Sequence, residues 1–245
     1  FCSGYGGIER GLDLAGFKHR TVAYVEIEAY AIANLANKME RGQLLPAPVW
    51  SNLKTLPVEP FRDKVDLITG GYPCQPFSAA GRRLGESDPR HLWPYIRRQI
   101  ESIRPVRVFF ENVEGHISLG LQEVISDLES LGYRTTWGIF SAREVGAPHQ
   151  RKRVYILADT KSVRVQRLRL SGEQEPHTHG QAKLPLCKSQ RPKNASWDVE
   201  PRLGRVVDGC PDRVDRIRLL GNGVVPQTAA KAWITLNKRF EALND

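Results

Sequence analysis

A chain of 245 residues with 40% hydrophobic side chains holds enough material for one large domain, or a domain with a small appendage, which excludes disorder throughout. Its 36 basic and 27 acidic residues give a net charge of +9, and the excess is local: 141–219 carries 17 Lys and Arg against 9 Asp and Glu, while the other 166 residues carry only +1. No apolar run approaches the roughly 20 residues that span a bilayer, no signal segment opens the chain, and Cys2, Cys74, Cys187 and Cys210 form no C-x-x-C pair. These features argue against membrane-spanning, disulfide-stapled and zinc-finger proteins and fit a reduced cytoplasm. The local basic excess points to a polyanion, with nucleic acid ahead of an anionic membrane, or to a solvated basic surface.

Up to about residue 158, short β-branched or aromatic runs alternate with helix-like stretches, the pattern of an α/β fold built from βαβ units around a mostly parallel sheet. The chain opens on the glycine-rich turn Cys2-Ser3-Gly4-Tyr5-Gly6-Gly7, then predicts a helix over 8–15 ended by Gly16, a strand over 21–27 and a helix over 29–39. Glycines let the backbone turn tightly and approach a ligand. An acid at the tip of the next strand, Glu26, can accept hydrogen bonds from two ribose hydroxyls. Ile27 offers an apolar surface to an adenine ring or, equally, to the core. Together they imply an adenosine-bearing cofactor.

A strand over 65–69 leads into Gly70-Gly71-Tyr72-Pro73-Cys74-Gln75-Pro76-Phe77-Ser78. A cysteine between two prolines at the mouth of a parallel strand sits where α/β sheets place reactive groups. A free thiol titrates near about 8.5, so a nucleophilic role requires nearby positive charge or transfer of its proton. After a helix over 92–103, the strand over 106–110 delivers Glu111-Asn112-Val113. An acid at the edge of a buried strand can have a raised pKa and donate a proton, though a single glutamate more commonly caps a helix or faces solvent.

A helix over 119–131 ended by Gly132 and a strand over 135–140 follow. Arg151 and Arg153 then enter a strand over 153–158 two residues apart, so they point the same way and could serve a carbonyl, a phosphate or a thiolate. From Asp159 to Arg202 the composition turns to Lys, Arg, Gln, Ser, Pro and Gly without periodicity, the mark of an inserted loop-rich segment. His177, His179 and Cys187 lie there without a well-spaced fourth ligand, so no metal site is expected. Gly221-Asn222-Gly223-Val224-Val225-Pro226-Gln227 reads as a turn before a last helix over 227–240, which places Ala230, Trp233, Ile234 and Asn237 at helical spacing.

In this order the motifs resemble those of DNA (cytosine-5)-methyltransferases of the compact prokaryotic or phage type. The resemblance runs from Phe1 to about Ala158 and again from about Gly204 to the end. Its most specific elements are Pro73-Cys74-Gln75 and Glu111-Asn112-Val113, joined by the glycine-rich turn, Arg151-Lys152-Arg153 and Gly221-Asn222. It implies a Rossmann-like, S-adenosylmethionine-dependent methyltransferase sheet over 1–158 whose first strand is expected to precede Phe1. A short target-recognition region over 159–203 and C-terminal motifs over 204–245, with a helix packing back on the catalytic domain, complete the implied organisation.

By the same resemblance, Cys74 adds to carbon 6 of a flipped-out cytosine, Glu111 hydrogen-bonds or protonates ring nitrogen 3, Arg153 holds the exocyclic oxygen, and Arg151 supports the thiolate side. Cofactor contacts fall on Ser3, Gly4, Gly6, Glu26, Ile27, Asn52, Leu53, Leu92, Asn222 and Val224. Asn52 stands where the family usually has an aspartate, which implies weaker cofactor binding, and His149 stands where glutamine is common. Gln75, Ser78, Arg82 and Arg83, in and around a mobile loop over 78–90, and Lys161, Arg164, Arg167 and Arg169 are the implied DNA contacts. The implied partners are double-stranded DNA and a cognate restriction endonuclease, for a cytoplasmic monomer that contacts no membrane. Two alternatives share these residues: a tRNA cytosine-5 methyltransferase, and a truncated, non-catalytic DNA-binding remnant.

Overall fold

The computed structural model describes residues 1–73, 92–160 and 213–242. In chain order the elements are α1 (Gly7–Leu14), β1 (Tyr24–Val25), α2 (Ala29–Glu40), β2 (Val49–Trp50), β3 (Leu67–Gly70), α3 (Trp93–Ile103), β4 (Arg107–Val113), α4 (His116–Leu119), α5 (Leu121–Ser130), β5 (Tyr133–Ser141), β6 (Lys152–Thr160), α6 (Arg213–Asn222) and α7 (Pro226–Ala242). Three short 3₁₀ turns, at Leu53–Thr55, Glu59–Phe61 and Arg143–Val145, link them. Among the described residues no helix is long and apolar enough to cross a membrane.

The main sheet has the order β3-β4-β6-β5. Strands β3 and β4 are parallel, with Leu67 opposite Arg107, whereas β6 runs antiparallel to both β4 and β5. The expectation of a mostly parallel sheet is therefore corrected to a mixed one. Only residues 142–151 join β5 to β6. That is less than the dozen or more residues a parallel crossover needs, so the chain turns back and β6 pairs antiparallel beside β5. A separate parallel pair, β1–β2, stands apart from this sheet. The start of the chain lies between the two: Ser3 N donates to Val25 O at 3.1 Å, and the Phe1 nitrogen donates to Thr69 O at 2.6 Å.

Alternation along the strands sorts side chains into two cores. Val108 and Phe110 of β4 and Val154, Ile156 and Ala158 of β6 pack with α3 and α5. Phe109, Tyr155 and Leu157 pack on the opposite face with α1 and α7. Helix α7, begun by Pro226, lies so close to α1 that only small residues fit between them. A Cβ on Gly11 would sit 2.6 Å from Ala229 Cβ, and one on Gly7 would sit 2.5 Å from Val224 O. Gly7 and Gly11 are four apart and so share the face of α1 that meets α7.

Two local expectations change. Gly120 interrupts the helix expected over 119–131, leaving the single turn α4 ahead of α5. Gly221 and Asn222 close helix α6 and are not part of a turn, which narrows to residues 223–225. Helix α6 escaped the sequence reading because its stretch, RVDRIRLLGN, is rich in Arg and carries little apolar periodicity.

Candidate functional site

Strand β4 ends with Glu111 and Asn112 on opposite faces of the sheet. Glu111 points to the α1/α7 side and is buried, 6% exposed. Arg153, at the start of β6, brings Nε to 3.0 Å from Glu111 Oε1, a close charge contact that lacks the alignment of a hydrogen bond. Burial pushes the Glu111 carboxyl up to about 7, against the opposing pull of Arg153 and Arg151. The chain leaving β3 passes close by: a Cβ on Gly71, three residues before Cys74, would lie 3.4 Å from Glu111 Oε2.

Arg151 and Arg153 share this neighbourhood but take different partners. Arg151, just before β6 and at φ 36°, donates through Nη2 to Gly221 O at 2.8 Å and Gly223 O at 2.6 Å. It thereby ties the last motif to the sheet. Tyr5 of the glycine-rich turn does the same from the other side, donating its hydroxyl to Val224 O. Lys38 of α2 donates to Tyr5 O at 2.8 Å and lies 4.6 Å over the Tyr5 ring. Residue 223 must be glycine here, since a Cβ would collide with the Tyr5 ring. Tyr5 and Lys38 were not singled out from sequence; the lone aromatic inside a glycine-rich turn was the available signal.

On the other side of the turn, Glu26 directly follows β1 as a buried carboxylate holding three backbone amides: Gly4 N at 2.7 Å on Oε2, and Ile27 N and Glu28 N at 2.9 Å each on Oε1. Roughly four lone-pair positions are available on a carboxylate, so capacity for about one further donor remains. Gly4 and Gly6 have positive φ, 53° and 79°, which lets the turn wrap over this acid. Ser3 hydrogen-bonds back to Val25. Ile27, next to Glu26, is 69% exposed, and Trp50 on β2 is also exposed. An apolar side chain left open beside a turn of backbone amides and a buried carboxylate is the arrangement an adenosine requires.

Asn52 Oδ1 accepts from Lys54 N at 3.0 Å and so caps a 3₁₀ turn. Leu53 turns its side chain into the core, and its carbonyl accepts from Gln99 Nε2 at 3.2 Å. Leu92 packs against the α3/α5 core at the start of α3. Val224 is buried against α1, while Asn222 is exposed.

On the α3/α5 face, Asn112 Nδ2 donates to Tyr72 O at 3.2 Å, and Tyr72 Oη lies 3.1 Å from His116 Nε2. Burial pushes the His116 imidazole down to about 4, which keeps the ring neutral. The backbone two residues ahead of Cys74 is thus held at both its carbonyl and its side chain. Tyr72 and His116 were missed from sequence, although Tyr72 stood inside the cysteine motif. Cys74, Gln75, Ser78, Arg82 and Arg83 lie outside the described residues, as do Lys161, Arg164, Arg167, Arg169, His177, His179 and Cys187. Within the described part of the basic stretch, Arg153 faces Glu111 and Arg151 holds the carbonyls of Gly221 and Gly223, while Lys152 pairs with Glu114 at 3.3 Å and Arg218 with Glu28 at 2.7 Å.

A family model for C-5 cytosine-specific DNA methylases matches residues 1–202. The chain belongs to that family. Among its relatives, the Type II methyltransferase M.NaeI of Lentzea aerocolonigenes is 32% identical over 161 residues, covering 64% of this chain and 38% of that protein. M.NgoMIV of Neisseria gonorrhoeae is 33% identical over 165 residues, covering 64% and 49%. This C-5 cytosine-specific methylase chain therefore spans about half or less of the length of the curated relatives it matches. Among solved structures, the S. pombe Dnmt2 methyltransferase superposes with a TM-score of 0.54 at 27% identity, covering 66% of this chain and 50% of that one. A Spodoptera frugiperda DNMT2 gives a TM-score of 0.55 at 24% identity, covering 66% and 49%, a likeness of fold.

Proposed function

We propose that this chain transfers a methyl group from S-adenosylmethionine to carbon 5 of a cytosine in double-stranded DNA. The observation that carries the reading is Glu111. A buried carboxyl held near neutrality at the end of a sheet strand, faced by Arg153 and passed by the chain that leads to Cys74, can hold or give a proton at a base. Bound S-adenosylmethionine supplies an electrophilic methyl on a sulfonium sulfur; Glu26 would take one ribose hydroxyl, Ile27 the adenine face, and Ser3, Gly4 and Gly6 the turn around it.

Carbon 5 of cytosine is a poor nucleophile, and the residues answer that difficulty. The Cys74 thiolate bonds to carbon 6 while Glu111 protonates or hydrogen-bonds nitrogen 3, leaving carbon 5 as an enamine carbon that can bond to a methyl group. Arg153 holds the exocyclic oxygen, and Arg151 keeps Gly221–Gly223 against the site. Loss of the carbon-5 proton to a base, with return of the nitrogen-3 proton to Glu111, then breaks the Cys74–carbon 6 bond and restores the thiolate and the aromatic ring. The base must leave the duplex first, at a cost of a few kcal/mol. Gln75, Ser78, Arg82 and Arg83, with Lys161, Arg164, Arg167 and Arg169, would contact the DNA. The Type II methyltransferases among the relatives support placing a cognate restriction endonuclease beside this protein, which we read as a cytoplasmic monomer.

DNA containing 5-fluorocytosine tests the reading, because fluorine at carbon 5 blocks the final elimination. The native chain with S-adenosylmethionine should form a denaturation-resistant adduct that Cys74→Ser abolishes. Soluble native chain that neither forms the adduct nor methylates cytosine in DNA refutes it.

A further inference from the structure

Strand β6 places Tyr155 directly opposite Glu111 in the antiparallel register, so their side chains neighbour one another on the α1/α7 face. The Tyr155 ring is fixed. It stacks on Phe109 at 5.6 Å and meets Phe140 edge-on at 5.8 Å, and the residue is fully buried. Yet its hydroxyl has no hydrogen-bond partner among the described residues, and neither has Glu111 Oε1. A phenylalanine would fill the same aromatic stack without leaving a polar atom unpaired, a loss that usually costs about 1–3 kcal/mol. A hydroxyl with no partner and a carboxylate oxygen that Arg153 meets only as an ion pair, on cross-strand neighbours, are better explained as a pair than as two separate defects.

We propose that Tyr155 is a positioning residue for Glu111, its hydroxyl supplying, directly or through one water, the hydrogen bond that Oε1 lacks. The inference rests on the catalytic reading of Glu111 given above. Burial keeps the Tyr155 phenol protonated across the working range, so it has a proton to donate. The other groups that bear on Glu111 are Arg153 at the start of β6, Arg151 just ahead of it, and Tyr5 from the glycine-rich turn. Arg151 is engaged by the carbonyls of Gly221 and Gly223, and Tyr5 by that of Val224. Of the two hydroxyls near Glu111, that of Tyr5 is engaged and that of Tyr155 has no partner among the described residues. Its role would be to fix which oxygen of Glu111 carries the proton and to turn that oxygen toward the base.

The test is a titration of the Glu111 carboxyl in the full chain by carbon-13 NMR, the signal assigned from its loss in Glu111→Gln. Removing a donor from a carboxylate disfavours the charged form, so Tyr155→Phe should raise the midpoint by about one pH unit, a tenfold change in acid dissociation. A 3-fluorotyrosine at 155 keeps shape and hydroxyl but donates more strongly, and should lower the midpoint; it also serves if Tyr155→Phe fails to fold. In an active enzyme the high-pH limb of kcat should move with the midpoint, with KM for DNA unchanged. A midpoint unmoved in the substituted chains overturns the pairing. A moved midpoint in a chain that transfers no methyl group upholds the pairing and refutes the proposed activity instead.

Discussion

The β4–β6 ladder carries a buried carboxylate toward each end of one face, and each has two arginines nearby, yet the two are built differently. Asp159, with no exposed surface, takes Nε and Nη2 of Arg134 at 3.1 and 2.9 Å, with Arg107 Nη2 at 3.9 Å. Arg107 in turn donates to Asn237 of α7 at 3.0 Å and lies against the Trp233 ring. Arg134 Nη2 reaches both oxygens, at 2.9 and 3.2 Å, while Nε shares Oδ1 with it, which fixes charge and geometry together. Glu111 has one arginine close but misaligned, while its other arginine is turned away to backbone carbonyls. Burial beside arginine therefore does not by itself define a site. A buried carboxylate with all its partners is a structural tie, whereas one with unmet acceptor capacity can exchange a proton with a ligand.

The largest effect should come from Glu111→Gln, which keeps shape and removes the exchangeable proton. Methyl transfer should fall by about 10²- to 10⁴-fold, the usual contribution of a positioned acid, with little change in KM for S-adenosylmethionine. With Glu111 as the proposed acid, native activity should decline as pH rises through about 7. Stability carries the same signature. The raised value means that the folded chain holds more protons than the unfolded one between the ordinary carboxylate range and about 7, so native stability should drop as pH rises across that window. Urea unfolding at pH 5 and pH 8 should show this drop in the native chain and its loss in Glu111→Gln.

Asp159→Asn should invert the pattern. It leaves Arg134 and Arg107 facing a neutral amide in a buried setting, and unfolding free energy should fall by about 3–5 kcal/mol. Methyl transfer per folded molecule should stay near native. If Asp159→Asn instead abolished activity at unchanged stability, the contrast between the two carboxylates would be wrong.

Much of this contrast was legible in the sequence at one end and almost none at the other. Glu111 announced itself by following an apolar run directly, and Arg153 by its position at the next strand's entrance. Arg107, Arg134 and Asp159 gave no such signal, because their meeting depends on β6 inserting antiparallel between β4 and β5. The same topology hid Tyr155, whose place opposite Glu111 depends on the antiparallel register. Strands and helices whose apolar pattern was strong appear close to their expected bounds, such as α2 and α3. Helix α6, held by contacts such as Arg218 with Glu28, lacked that pattern. The glycine-rich turn was visible as a turn, but that Tyr5 reaches Val224 across 219 residues of sequence was not.

The smallest effect belongs to the opposite face of β4, where Asn112 and His116 hold Tyr72. The contacts these residues make among the described residues are ordinary hydrogen bonds between neutral groups. Tyr72→Phe removes the hydroxyl that meets His116 and keeps the ring among Trp93 and Phe110. Unfolding free energy should fall by about 1 kcal/mol, the net worth of one buried neutral hydrogen bond, and thermal unfolding with a methyl-transfer assay would measure it. The pH dependence of activity should not move, since His116 stays neutral down to about 4. A pH profile displaced by Tyr72→Phe would mean that the two faces of β4 are coupled, and that Glu111 answers to more than the groups on its own side of the sheet.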